Sequence, residues 1–196
     1  MDQASLKQML ADALEPGNGL YALLIRAGRS TISECDAPFL TRYKIYRVYH
    51  FDEYRRIIVY LAYAPGEPAR PLTSNPASLG ALLQADGSRI DSLEMAIAYA
   101  QNFLDALTGP KRLYLRVNSV DDITFQPDDA GAIPVVAALK ERLRKQISPP
   151  FARKLPGNAG YRVTLYAMNE HVLERHTMIV KADGEISHRI EEIDEM

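Results

Sequence analysis

Three of the four histidines of this chain, His171, His176 and His188, lie close together near its C-terminal end. Histidine is the side chain that most often transfers protons, ligates metals or senses pH, because its pKa lies near neutrality. No other stretch of the sequence concentrates such groups. Alternating apolar and polar residues on both sides of Asp183-Gly184 predict a β-hairpin for this segment.

The pairing of the two predicted strands decides whether these histidines meet. A three-residue loop over 182–184 places Met178 opposite His188, which makes His176 and His188 diagonal neighbours on one face. A two-residue loop, Asp183-Gly184, shifts the register by one and puts the two rings on opposite faces. The sequence leaves both registers open.

In the first register, Glu174 and Glu192 lie one step further along the same face. Two histidines and a carboxylate on neighbouring strands could ligate zinc or a non-haem metal. They could equally form an acid/base pair in a pocket. The competing interpretation is a set of histidines at the wet edge of a half-buried sheet. The candidate ligand-binding residues are His176, His188, Glu174, Glu192 and Met178; metal and cofactor stay unidentified.

A second candidate pattern is the strand from Arg42 to His50, in which cations alternate with aromatic rings. Rings and cations on a sheet hold single-stranded nucleic acid in several kinds of module, and residues 140–154 add further cations. Alternation along the strand also fits a sheet with one buried aromatic face. Binding of nucleic acid through Arg42, Tyr46 and Arg56 is therefore the weaker hypothesis.

Composition narrows the class of protein. The 196 residues are 47% hydrophobic and 24% charged, values typical of a globular domain with a real core. A net charge of −2 gives no overall attraction to nucleic acid or anionic membranes. A single cysteine, Cys35, excludes an internal disulfide and paired-cysteine zinc sites.

The sequence also carries information on location. Its N-terminal residues lack a basic segment followed by an apolar run, so no signal peptide is predicted. The longest apolar stretch, 57–64, is far shorter than the roughly 20 residues that a membrane span requires. We expect a soluble cytoplasmic protein with no membrane partner.

The elements that must position these residues follow from hydrophobic periodicity. Apolar stripes predict helices over 3–15, 92–107 and 134–147, and Asp91 with Glu94 forms a capping-box pattern for the second of these. A long loop over 65–90 is predicted to contain a short helix at 77–83. Strands are predicted over 20–26, 30–34, 42–51, 55–64, 112–118, 123–125, 161–168, 171–181 and 185–192.

The order of these elements predicts the fold class. Strands come in adjacent hairpin-like groups, which favours an α+β fold: a curved antiparallel sheet with about three main helices packed on one face. We expect a single domain over 1–196. Segments 43–67 and 161–185 share a strand, turn, strand, Gly-Glu pattern, which raises the hypothesis of pseudo-repeat halves 1–109 and 110–196. The alternative is two unrelated hairpins.

Function is predicted in three competing forms. The leading hypothesis is a non-enzymatic binding or interaction module that acts through its sheet and self-associates or binds a protein partner, with a small ligand also compatible. The rival is a pocket enzyme or metal binder using the His/Glu cluster, and the third is nucleic-acid binding. The sequence carries no Gly-x-Ser-x-Gly elbow, and whether the protein is an enzyme stays open.

Overall fold

The computed structural model describes residues 2–52, 55–109, 112–125 and 133–195, which form five helices and two antiparallel sheets. The helices are α1 (Gln3–Leu14), α2 (Gly19–Arg26), α3 (Ala77–Asp86), α4 (Leu93–Leu107) and α5 (Ile133–Arg144). The strands are β1 (Ser30–Cys35), β2 (Lys44–Asp52), β3 (Arg55–Tyr63), β4 (Arg70–Pro71), β5 (Tyr114–Val117), β6 (Phe151–Lys154), β7 (Tyr161–Asn169), β8 (Val172–Val180) and β9 (Ile186–Glu195). These elements confirm the α+β class.

The strands divide into two sheets where one was expected. The first sheet has the order β1-β2-β3-β4, and the second has the order β5-β7-β8-β9 with β6 also paired to β7. In the second sheet β5 pairs with β7, distant in sequence, and not with the predicted strand 123–125. The first sheet falls within the predicted half 1–109 and the second within 110–196. The repeat, the single domain and the curvature stay predictions.

Helices α1 and α2 cover one face of the first sheet. Their buried residues pack with those of β1, β2 and β3, among them Leu10, Ile25, Val48 and Leu61. The predicted strand over 20–26 is wrong, since this short apolar run is α2. The side chain of Asn18 caps it by accepting a hydrogen bond from the Tyr21 N–H at 3.2 Å.

The other face of the first sheet packs on α3 and α4, and the same core continues into the second sheet. It joins Ile45 and Ala62 of the first sheet, Tyr99 of α4, and Val163 and Met178 of the second sheet. The expectation of about three helices on one face is therefore not met. The first sheet is covered on both faces because β2 carries apolar side chains on both.

A buried carboxylate, Asp86 at the end of α3, fixes the chain just before β2. It accepts hydrogen bonds from the backbone N–H groups of Thr41, Arg42 and Tyr43 at 2.8, 2.8 and 3.1 Å, and from the Ser88 hydroxyl. Burial alone would raise the pKa of Asp86, but these hydrogen bonds outweigh it and hold the pKa well below its ordinary value.

We expect Asp86→Ala to lower the free energy of unfolding by about 3 kcal/mol, because it leaves three backbone donors without their acceptor. The matched control is Asp91→Ala. Asp91 is exposed, and Ser92, not Asp91, caps α4 by accepting from the Met95 N–H at 3.1 Å. The control should stay within about 0.5 kcal/mol of the parent protein. Urea unfolding measures both, and equal losses would contradict the role given to Asp86.

Candidate functional site

The hairpin of β8 and β9 turns through the three residues 182–184. The Lys181 N–H donates to the carbonyl of Glu185 at 2.9 Å, and Gly184 has a φ of +86°, in the left-handed region that favours glycine. The Tyr99 hydroxyl of α4 donates to the Gly184 carbonyl at 2.8 Å, and a Cβ at this glycine would lie 2.8 Å from that hydroxyl oxygen. Glycine is thus required by both the backbone and the close approach of α4.

This loop sets the register that brings two histidines together. Met178 lies opposite His188, and His176 lies opposite Ile190. His176 Nδ1 is 2.9 Å from His188 Nε2, which is hydrogen-bonding distance. Their ring centroids are 5.1 Å apart and their planes 18° apart, so the two rings are nearly parallel. The structure has the first of the two registers that the sequence left open.

Aromatic side chains enclose this histidine pair, His176 and His188. The ring of Tyr114 meets His176 edge-on with centroids 5.3 Å apart, and Phe103 meets His188 at 5.8 Å. His176 is fully buried, whereas His188 is partly exposed. Burial, and then the charge of His188, lower the pKa of His176 to about 3, and burial lowers the pKa of His188. Both rings are neutral at pH 7, and one donates to the other.

Glu174 extends the pair into a small polar group inside the core. Its Oε1 accepts a hydrogen bond from Asn169 Nδ2 at 2.9 Å. Its Oε2 lies 3.2 Å from His176 Nε2, but neither of these two atoms has a hydrogen-bond partner among the described residues.

The remaining two candidate residues have different surroundings. Met178 is buried and lies opposite His188, so it belongs to the core beside the pair. Glu192 lies opposite Glu174 in the register, but its side chain is exposed. Over the described ranges, no group of three or more His, Cys, Asp or Glu side chains is arranged to hold a metal ion.

Two rings of the basic and aromatic segment 42–50, Tyr43 and Tyr46, are not available for stacking. Tyr46 is buried in the core under α1 and α2, and Tyr43 is buried in the main core. Arg42 forms an ion pair with Glu67. Bases could not stack on these rings without displacing the core.

The sequence analysis missed an open depression on the outer face of the second sheet, the face turned away from α4. Its volume is about 660 Å³. Four arginines line it, one from each of four strands: Arg153 of β6, Arg162 of β7, Arg175 of β8 and Arg189 of β9. Each occupies an outward position on its own strand, a signal that appears only once the strand registers are known.

Charge is poorly balanced in this arginine depression. Arg175 pairs with Glu191 at 2.6 Å, and it is the one of the four arginines with an acidic partner in the described part of the chain. Arg162 Nε is buried and has no hydrogen-bond acceptor among the same residues. His188 is also among the lining residues, although its ring contacts His176 and Phe103 on the inner face of the sheet.

Comparison of the chain with protein-family models, with curated proteins and with solved structures finds no match. None of the helices in the described ranges has the length and apolar character needed to cross a bilayer. The histidine pair and the arginine depression are the features from which a function can be inferred.

We expect the histidine pair to make the fold sensitive to acid. The pKa of His176 is about 3 in the folded protein against an ordinary 6.5, so between these values the unfolded chain binds more protons. The free energy of unfolding should therefore fall as the pH drops from about 6.5 towards 3, with a contribution from His176 approaching about 1.4 kcal/mol per pH unit.

The variant that tests this is His176→Asn, whose amide can occupy the place of Nδ1 beside His188. We expect it to cost about 2 kcal/mol at neutral pH, because part of the ring volume is left empty, and to show a shallower loss of stability in acid. Urea unfolding across the pH range measures this. His171→Asn, at an exposed position, should keep the parent slope. An unchanged slope in His176→Asn would contradict the assignment.

Proposed function

We propose that this chain is a non-enzymatic binding protein that holds a small organic anion, bearing phosphate or carboxylate groups, in the arginine depression. The observation that carries the proposal is that four arginines line one open depression of about 660 Å³: Arg153, Arg162, Arg175 and Arg189. In a chain with a net charge of −2, such a concentration of cations is a local property and not a consequence of composition.

Guanidinium groups suit this task. Each stays charged at any physiological pH and presents donors in a planar fork that matches a carboxylate or a phosphate. Arg162 Nε is a buried donor without an acceptor among the described residues, and a buried unpaired donor is costly. An anion oxygen bound at this point would supply the missing acceptor.

The rest of the lining supports an organic ligand over a bare ion. Hydroxyl groups of Thr164, Thr177 and Ser187 add neutral donors and acceptors. The ring of Phe151, which is 49% exposed, and the side chain of Ile179 offer apolar contact. A volume of about 660 Å³ lies within the range of roughly 300–1,000 Å³ found for small-molecule sites.

The titratable groups of the lining favour binding over turnover. Glu191 is held by Arg175 at 2.6 Å, and His188 Nε2 is engaged with His176 Nδ1 at 2.9 Å. A general base must be within reach of a substrate proton and free to accept it. These two groups are already partnered, so recognition is the simpler role for the depression.

The test is a calorimetric titration with inorganic pyrophosphate at low salt, with citrate in a parallel arm to separate carboxylate from phosphate recognition. Arg162→Gln should weaken binding of the preferred anion by at least about tenfold, because a charged hydrogen bond is lost. The matched control is Arg89→Gln, an exposed arginine outside the depression, which should bind like the parent protein.

Two results would overturn the proposal. One is the absence of binding of both anions to the parent protein at millimolar concentration. The other is binding of a single-stranded oligonucleotide, weakened by Arg162→Gln, when neither small anion binds. That second result would move the function to nucleic-acid binding, with a strong dependence on salt.

A further inference from the structure

Strand β9 forms an edge of the second sheet. Across the described chain, β8 is its one strand neighbour. It is ten residues long, and most of the residues at its centre have exposed side chains: Ser187, Arg189, Ile190, Glu191 and Glu192. A long exposed edge is a template for another strand unless the chain covers or blocks it.

The backbone groups at this edge alternate in direction. In an antiparallel pair, hydrogen-bonded and non-hydrogen-bonded residue pairs alternate, and the bond from the Lys181 N–H to the Glu185 carbonyl fixes the phase. Ser187, Arg189 and Glu191 therefore bond to β8. The outward N–H and C=O groups belong to Ile186, His188, Ile190 and Glu192.

We infer that a second copy of this chain pairs with β9, antiparallel, about a two-fold axis at Ile190. In this register Ile190 faces its own copy as a hydrogen-bonded pair, which its outward backbone groups allow. Arg189 then lies opposite Glu191 of the second copy, and His188 lies opposite Glu192 of the second copy. Symmetry repeats each pairing, so two Arg189–Glu191 ion pairs and two pairs of the neutral His188 with Glu192 flank the axis.

The charges select this axis among its neighbours. If the axis passes through Arg189, Glu191 or Glu192, that charged residue lies directly opposite the same residue of the second copy. An axis at His188 sets Glu185 against Glu191 of the second copy. Like charges directly opposite each other are destabilising. Arg189 is the one cation of β9, beside four acidic residues of the same strand, and the axis at Ile190 sets it opposite Glu191 of the second copy.

Two further features fit a short, self-paired segment. Ile190 is 40% exposed, and at the axis its own copy would cover it. The register shift opposite Leu173 and Glu174 leaves Ile193 as an extra residue on β9, and such a bulge bends a strand. Regular pairing would therefore run over 188–192, where the complementary pairs lie. The pairing shares Arg189 and Glu191 with the arginine depression, but its test reads the oligomeric state, so it can fail without the anion site failing.

The experiment is sedimentation or light scattering of the intact protein between about 10 and 200 μM, with circular dichroism to show folding. The parent should be a dimer. Arg189→Glu sets like charges opposite each other twice and should raise the dimer dissociation constant by at least about tenfold. The double variant R189E/E191R restores opposite charges and should recover dimerisation. Lys154→Glu, an exposed position on β6 away from β9, is the charge-matched control and should stay dimeric.

A cross-linking arm tests the register, in a Cys35→Ser background. Ile190→Cys lies on the axis and should form a covalent dimer on oxidation. Ser187→Cys should not, since three residues from the axis its own copy is roughly 20 Å away. A parent protein that stays monomeric at about 200 μM, a dimer that Arg189→Glu leaves intact, or equal cross-linking at both positions would each overturn the inference. A monomer that instead binds an extended peptide at this edge would also overturn it.

Discussion

The contact between α4 and the turn of the last hairpin organises the second sheet. The Tyr99 hydroxyl donates a hydrogen bond to the Gly184 carbonyl at 2.8 Å, and the Ile90 N–H donates one to the Ala182 carbonyl at 2.9 Å. These bonds fix a three-residue loop. A slip of one residue would move every side chain of β9 to the other face, exposing His188 to solvent on the outer face and turning Arg189 into the core.

One register therefore produces two unlike surfaces from the same strands. Inward positions give the histidine pair and its carboxylate neighbour, Glu174, beside the apolar and aromatic side chains of the main core. Outward positions give the arginine depression. A buried polar group is tolerated only when its partners are in place, so the pair also penalises competing registers.

Local sequence was a sound guide where one face of an element is apolar. Helices over 3–14 and 93–107 and the hairpin of β2 and β3 lie close to their predicted positions, because their periodicity was unambiguous. It failed for α2, since a short apolar run fits a helix or a strand equally well. It placed β5 correctly but failed for its pairing, since the partner β7 lies far away in the sequence.

The sequence by itself determined the α+β class, the amphipathic helices and the two alternative registers of the last hairpin. Only the tertiary structure decided between those registers, because the choice depends on the approach of α4 to Gly184. It also decided that four arginines separated along the chain share one surface, and that Tyr43, just before β2, and Tyr46 are buried in the cores on opposite faces of the first sheet. Each of these outcomes depends on packing between elements that are distant in sequence. The hydrophobic periodicity of a single element does not predict such packing.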